Sequence, residues 1–120
     1  MFKKVAFTMY PVLDLARARK FYEETFGLPL GKISDNGQWV EYDLPGGGCF
    51  CITTLAQGVV PSHSSGGSIS FEVEDLDQLV LDLKEKKVEF KLDIFHSPVC
   101  RLAICLDSEG NAVMLHQLKK

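Results

Sequence analysis

What this chain of 120 residues lacks restricts its function before any motif is read. No stretch approaches the ~20 consecutive apolar residues that a membrane span needs, so no membrane partner is expected. The 13 lysines and arginines are scattered through both halves against 16 acidic residues. At a net charge of -3 they form no basic stripe of the kind that follows a phosphate backbone, and nucleic acid is excluded as an expected partner. The opening Met1-Phe2-Lys3-Lys4-Val5 has neither the apolar run nor the small-residue cleavage site of a secretory signal, so a cytosolic location is expected. In that compartment Cys49, Cys51, Cys100 and Cys105 are read as reduced thiols; Cys49 and Cys51, at i and i+2 of one strand, are poorly placed to bridge each other. Histidine is sparse too, with only His63, His96 and His116.

What is present is repetition. A chain with 46% hydrophobic residues can bury a core of its own, and a single domain over residues 1–120 is expected. Within it the cadence Val-x-Asp-Leu occurs at Val12 and again at Val73, 61 positions later. Val5–Val12 is rich in strand formers. Asp14 then stands where a carboxylate caps a helix, with Leu15, Ala18, Tyr22 and Phe26 on one helical face and Gly27 as its stop. In the second copy Ser68–Val73 alternates, Asp75 and Gln78 form an Asp-type capping box, and Leu76, Leu79, Val80 and Leu83 keep helical spacing.

Three extended runs follow each helix. In the first half they are Leu28–Ser34, Gln38–Asp43 and Cys49–Thr54, separated by Asp35-Asn36-Gly37 and Pro45-Gly46-Gly47-Gly48. In the second they are Val88–His96, Cys100–Leu106 and Ala112–Leu118. The chain therefore reads as two βαβββ modules, about 1–57 and about 66–120, joined by the Ser/Gly/Pro-rich Ala56–Gly67. The glycine turn leads into no helix, which rules out a phosphate-cradling loop.

The pattern Val-x-Asp-Leu-x-x-Ala-x-x-Phe-Tyr-x-x-x-x-Gly-Leu in residues 12–28, "FEVEDLDQLV" in 71–80 and "DSEGNAVMLHQ" in 107–117 resemble the vicinal oxygen chelate superfamily, which includes glyoxalases, extradiol dioxygenases and bleomycin-resistance proteins. The resemblance implies an α+β fold in which two βαβββ modules with curled mixed sheets enclose a cavity, helices outside. It also implies a homodimer, with pairing of modules within or between chains left open. Members that use a metal place His, Gln or Glu ligands on the first and last strand of each module. The matching positions here are Phe7, Cys51, Ser68 and Met114, which cannot furnish an octahedral oxygen and nitrogen site; no metal and no cofactor is expected.

Strand alternation gives a view of the same region that owes nothing to the family. Cys49, Cys51 and Thr53 oppose Phe50 and Ile52; Ser68, Ser70 and Glu72 oppose Ile69, Phe71 and Val73; Ala112, Met114 and His116 oppose Val113 and Leu115. The bulky face of each strand suits burial under a helix, and the small or polar face suits a concave surface. Candidate ligand-binding residues are Phe7, Cys51, Ser68, Ser70, Met114, His116, Trp39 and Arg101, with no catalytic residue assigned. Each has a plainer role beside it. His116 can be a rim histidine, Cys51 a small core residue, Trp39 and Tyr42 packing groups, Glu72 a solvated strand-end charge, and Arg101 the partner of a surface acid. Two functions stay open: a metal-independent protein that sequesters or senses a small organic molecule, and a glyoxalase-like lyase, isomerase or dioxygenase relative.

Overall fold

The computed structural model describes residues 1–56 and 58–119; Gln57 and Lys120, which the expected module bounds include, lie outside the described residues. The chain divides into two units, Met1–Pro61 and Ser62–Lys120. Ser62 belongs with the second because its N–H donates to Asn111 Oδ1 and its carbonyl accepts from Ala112.

In the first unit β1 (Thr8–Pro11) leads to α1 (Leu15–Lys20), and then come β2 (Trp39–Asp43) and β3 (Cys49–Thr53). The sheet order is β1-β3-β2, with β3 parallel to β1 and antiparallel to β2. Asp14 caps α1 as expected, its side chain accepting from the Arg17 N–H at 3.0 Å. The helix does not run regularly to Gly27. After Lys20 it widens into a π-type turn, Phe21–Thr25, in which the Phe26 N–H bonds the Phe21 carbonyl. Gly27, at φ 76°, then turns the chain so that the Leu28 N–H reaches the Tyr22 carbonyl. The widened turn gathers Phe21, Tyr22 and Phe26 into one ring cluster, with centroids 4.7 to 5.6 Å apart.

The helix side of this sheet carries Tyr10, Val40, Tyr42, Phe50 and Ile52, all buried, with Ala18 packed from α1 and Tyr22 from the π-type turn. Alternation over "CFCIT" thus assigns Phe50 and Ile52 to the helix, as expected. The strand expected at Leu28–Ser34 is reduced to one bridge, Ile33 to Val40. Its ladder is interrupted because Gly31 and Lys32 both face Glu41: Gly31 N–H donates to the Glu41 carbonyl, and the Glu41 N–H donates to the Lys32 carbonyl. A side chain at Gly31 would meet the Glu41 carbonyl oxygen at 2.8 Å, so glycine is required by the close approach.

The second unit is more regular. It comprises β4 (Ile69–Glu72), α2 (Leu76–Glu85), β5 (Phe90–His96), β6 (Cys100–Leu106) and β7 (Ala112–Leu118), in sheet order β4-β7-β6-β5. Asp75 caps α2 by accepting from the Gln78 N–H at 3.1 Å. Only half of the capping box forms, since the Gln78 side chain turns outward to Asp82, while the first free N–H of the helix, on Leu76, is taken by Gln117 Oε1. Leu76, Val80 and Leu83 are buried on the helix side, where Phe71, Ala103, Cys105, Val113 and Leu115 also lie. The turn after β6 is built on Asp107, whose carboxylate accepts from the N–H groups of Glu109 and Asn111 and from the Asn111 side chain.

The α+β class with two mixed, open, curled sheets and two helices is the class that the resemblance implies. Among the described residues the strands number seven, not eight, because the bulge at Gly31 breaks the ladder of the missing one.

Candidate functional sites on the helix-free sheet faces

Each sheet has one face under its helix and another that the helix leaves open. In the first unit cross-strand register sets Trp39 beside Thr53 and Pro11, Glu41 beside Cys51 and Met9, and Asp43 beside Cys49. These residues share the helix-free face. Trp39 lies down along its own strand, its Nε1–H donating to Glu41 Oε2 at 2.8 Å. Its indole also meets the ring of Phe7 edge-on, 5.2 Å between centroids. Because β3 lies between β1 and β2, a contact from the flank of β1 to β2 must pass over β3. Cys51, on the central strand between Met9 and Glu41, is 0% exposed.

The Cys51 thiol is pushed up to about 12, first by burial and then by Cys49, Glu41 and Asp43. It is held neutral, so nucleophilic attack by Cys51 is not what this environment favours. The four cysteines are free, as read from the sequence.

In the second unit Ser70 lies beside Met114, which lies beside Ile104 and, one strand further, Leu92. The next rung runs Glu72, His116, Leu102 and Phe95. An apolar floor of Leu92, Phe95, Leu102, Ile104 and Met114 is thus bordered on one side by Ser70, Glu72 and His116. Phe95 at 53% exposed and Leu92 at 38% are open to solvent. His116 Nδ1 sits 2.5 Å from Glu72 Oε1, and the second Glu72 oxygen accepts from the Leu118 N–H at 2.9 Å. That backbone bond, followed by His116, holds the Glu72 carboxyl below its usual range. The pair fixes the imidazole with its Nε2 edge free of protein partners among the described residues.

The candidates read from the sequence therefore divide. Phe7, Trp39 and Cys51 come together in the first unit, and Ser70, Met114 and His116 in the second. Ser68 stands exposed just ahead of β4. Arg101 falls on the other side: its guanidinium bonds Asp77 on α2 at 2.8 Å and Gln117 at 2.7 Å, so it fastens the start of the helix to the sheet. It takes the plainer role, because its register partner Gln117 shares the face of Leu115. Missing from the sequence-based set are Leu92, Phe95, Leu102 and Ile104. Apolar residues occupy both parities along much of β6, and in β5 the alternation of Phe90, Leu92 and Ile94 with Lys91 and Asp93 is broken by the register shift before Phe95, so only register to Met114 and His116 selects the face.

A βαββ unit and a βαβββ unit, each with a curled sheet, a helix on one face and an open face opposite, define the chain as an α+β protein of two related units. The sequence profile of the Glyoxalase/Bleomycin resistance protein/Dioxygenase superfamily matches residues 4–115, and the chain belongs to that superfamily. No curated protein matches it. Among solved structures it is similar to TnmS3, an antibiotic binding protein from Streptomyces sp. CB03234, with a TM-score of 0.77 and 24% identity over 98% of each chain. It is also similar to a lactoylglutathione lyase from Agrobacterium tumefaciens, with a TM-score of 0.72 and 19% identity over 95% of this chain and 92% of that one. A third is the fosfomycin resistance protein FosX from Listeria monocytogenes, at 0.73 and 18% identity over 98% of this chain and 94% of that one. At such identities the likeness concerns the fold.

The metal used by part of this superfamily does not fit the side chains present. The positions resembling its ligand sites hold an aromatic ring, a covered neutral thiol, a hydroxyl and a thioether, which offer no hard donor set. Among the described residues no three His, Cys, Asp or Glu side chains converge on one point. No helix among them is long and apolar enough to cross a membrane.

Proposed function

We propose that the protein binds a small organic molecule on its helix-free sheet faces, without a metal, to sequester or sense it. The observation that carries this reading is the open apolar floor of Leu92, Phe95, Leu102, Ile104 and Met114, bordered by a fixed Glu72–His116 pair. Apolar lining with a few placed polar groups is the usual make-up of small-molecule sites. The first unit supplies a matching face, where the Phe7 and Trp39 rings offer a surface for a planar or amphipathic ligand. Likeness to an antibiotic binding protein lends support to sequestration. Calorimetry with metal-free bleomycin and with lactoylglutathione, both in excess chelator, tests it. Binding that needs an added divalent ion would reject the reading.

Enzymatic lyase or isomerase activity is the second reading, favoured by one observation only. Glu72 orients His116 so that its free ring nitrogen could take a proton from a bound molecule. Turnover lost in His116→Gln, with binding retained, would establish it. We also read the chain as a homodimer acting in the cytosol. Light scattering should then return twice the chain mass at micromolar concentration.

A further inference from the structure

Resting on the binding reading above, we infer that the open floor of the second unit selects planar molecules of the phenol type, a bicyclic aromatic body lying on the floor with its hydroxyl group donating to His116 Nε2. The pair with Glu72 decides the polarity of that contact. An ionised carboxylate has only acceptors, and the Glu72 carboxyl is held below its usual range by the Leu118 N–H first and by His116 second. Its Oε1, 2.5 Å from Nδ1, therefore keeps the ring proton on Nδ1. In the neutral imidazole the other nitrogen, Nε2, is then an acceptor, and the carboxylate behind the ring strengthens it.

A bulge in β5 sets the far end of the floor. Between Leu92 and Phe95 the strand takes three steps where β6 takes two, from Ile104 to Leu102, so Leu92 and Phe95 both face the floor. Regular alternation would have turned Ile94 there instead. One rung thus has His116 at one end, Leu102 in the middle and Phe95, half exposed, at the other. Three strands about 4.8 Å apart give that rung a width of about 10 Å, and the neighbouring rung of Met114, Ile104 and Leu92 lies about 7 Å away along the strands. Two fused aromatic rings cover this area and bring their far edge to the Phe95 ring. A hydroxyl at the near edge meets Nε2. An ether oxygen in the same place has no proton to give and leaves Nε2 unpaired beneath an apolar body.

The probes are β-naphthol and its methyl ether, read by the anisotropy of their own fluorescence in excess chelator at about pH 8, where free imidazole is neutral. Naphthol should bind about tenfold more tightly than the ether. His116→Phe keeps a ring but removes the acceptor, and should bring the two probes to equal affinity while the ether still binds. Glu72→Gln tests the positioning role of the carboxylate with His116 intact. The Leu118 N–H, 2.9 Å from one Glu72 oxygen, takes the amide oxygen, so the amide nitrogen faces Nδ1, donates to it and moves the ring proton to Nε2. The preference for naphthol should then vanish. Glu72 is exposed and His116 partly so, and an unchanged circular dichroism spectrum confirms that both variants fold. Equal binding of the two probes to the parent overturns this inference and leaves metal-free binding standing, whereas binding of neither rejects both. A preference that persists in folded His116→Phe or Glu72→Gln also overturns it.

Discussion

The two halves of this chain share a cadence and build different interiors. The first packs rings: Tyr10, Tyr22, Tyr42 and Phe50 fill the space between α1 and its sheet, and Phe21 and Phe26 join Tyr22 in the widened turn. The second packs aliphatic side chains: Leu76, Val80 and Leu83 from α2 meet Val113, Leu115 and Ala103. A six-residue helix presents little area of its own, so the first half uses large rings and a π-type turn to reach the sheet. The ten-residue α2 needs no such device. Aromatic packing brings a polar cost as well. Tyr42 has a buried hydroxyl, which donates to Glu23 Oε2 at 2.8 Å, and Glu23 is held in turn by Arg19. The open faces differ in the same way, with thiols, carboxylates and a ring pair on one and an aliphatic floor with a histidine on the other.

Core truncation should separate the halves most. Phe50→Ala removes the ring touched by Tyr10, Tyr22 and Tyr42 and should cost about 3–5 kcal/mol; Leu83→Ala should cost about 2–5 kcal/mol. Urea unfolding of both measures the difference. A negligible loss for Phe50→Ala would break the claim that rings carry the first half. Gly31→Ala comes next, at about 1–3 kcal/mol, because the new methyl group meets the Glu41 carbonyl oxygen at 2.8 Å.

Tyr42→Phe should cost about 1–2 kcal/mol near neutrality. Arg19 first, and then Tyr42, hold the Glu23 carboxyl below its ordinary range, with burial opposing them. A depressed carboxyl contributes stability that is present above its unfolded value of about 4.3 and is lost as pH falls through the lower folded value. The gap between parent and Tyr42→Phe in urea midpoint should therefore narrow in acid. A gap that is constant with pH would mean the hydroxyl does not act through Glu23. The smallest contrast concerns the helix stops. Gly27 turns the chain at φ 76°, whereas Lys87 does so at φ 64°. Gly27→Ala should lose about 1 kcal/mol and Lys87→Gly should gain about 0.5 kcal/mol, read as opposite shifts in Tm.

Much of the fold was legible because its signals are local. Asp14 and Asp75 cap the two helices, and Cys100–Leu106 and Ala112–Leu118 are strands over the expected residues. Departures arise where a non-local contact decides. Leu28–Ser34 has strand-forming residues, yet its pairing is broken by the approach of Glu41 to Gly31. The first strand begins at Thr8 rather than Val5, since β3 offers partners only from Phe50 onward to Thr53. For the candidate sites, alternation placed Cys51, Ser70, Met114 and His116 on the helix-free faces. It could not see that Arg101 would be claimed by Asp77 and Gln117, or that Glu72 and His116 would pair. These depend on which strands become neighbours, and register is not written in either strand alone.

Direct titration of an amphipathic planar probe tests the central claim that the open faces take an organic molecule without a metal. Anilinonaphthalene sulfonate, added to protein in excess chelator, should bind saturably. The signal would be its own emission and that of Trp39, the chain's one tryptophan. Leu102→Asp, which places a charge on the apolar floor of the second sheet, should weaken binding about tenfold or more while the folded spectrum is kept. Binding that appears only when zinc or manganese is supplied, or that is indifferent to Leu102→Asp, would contradict the account.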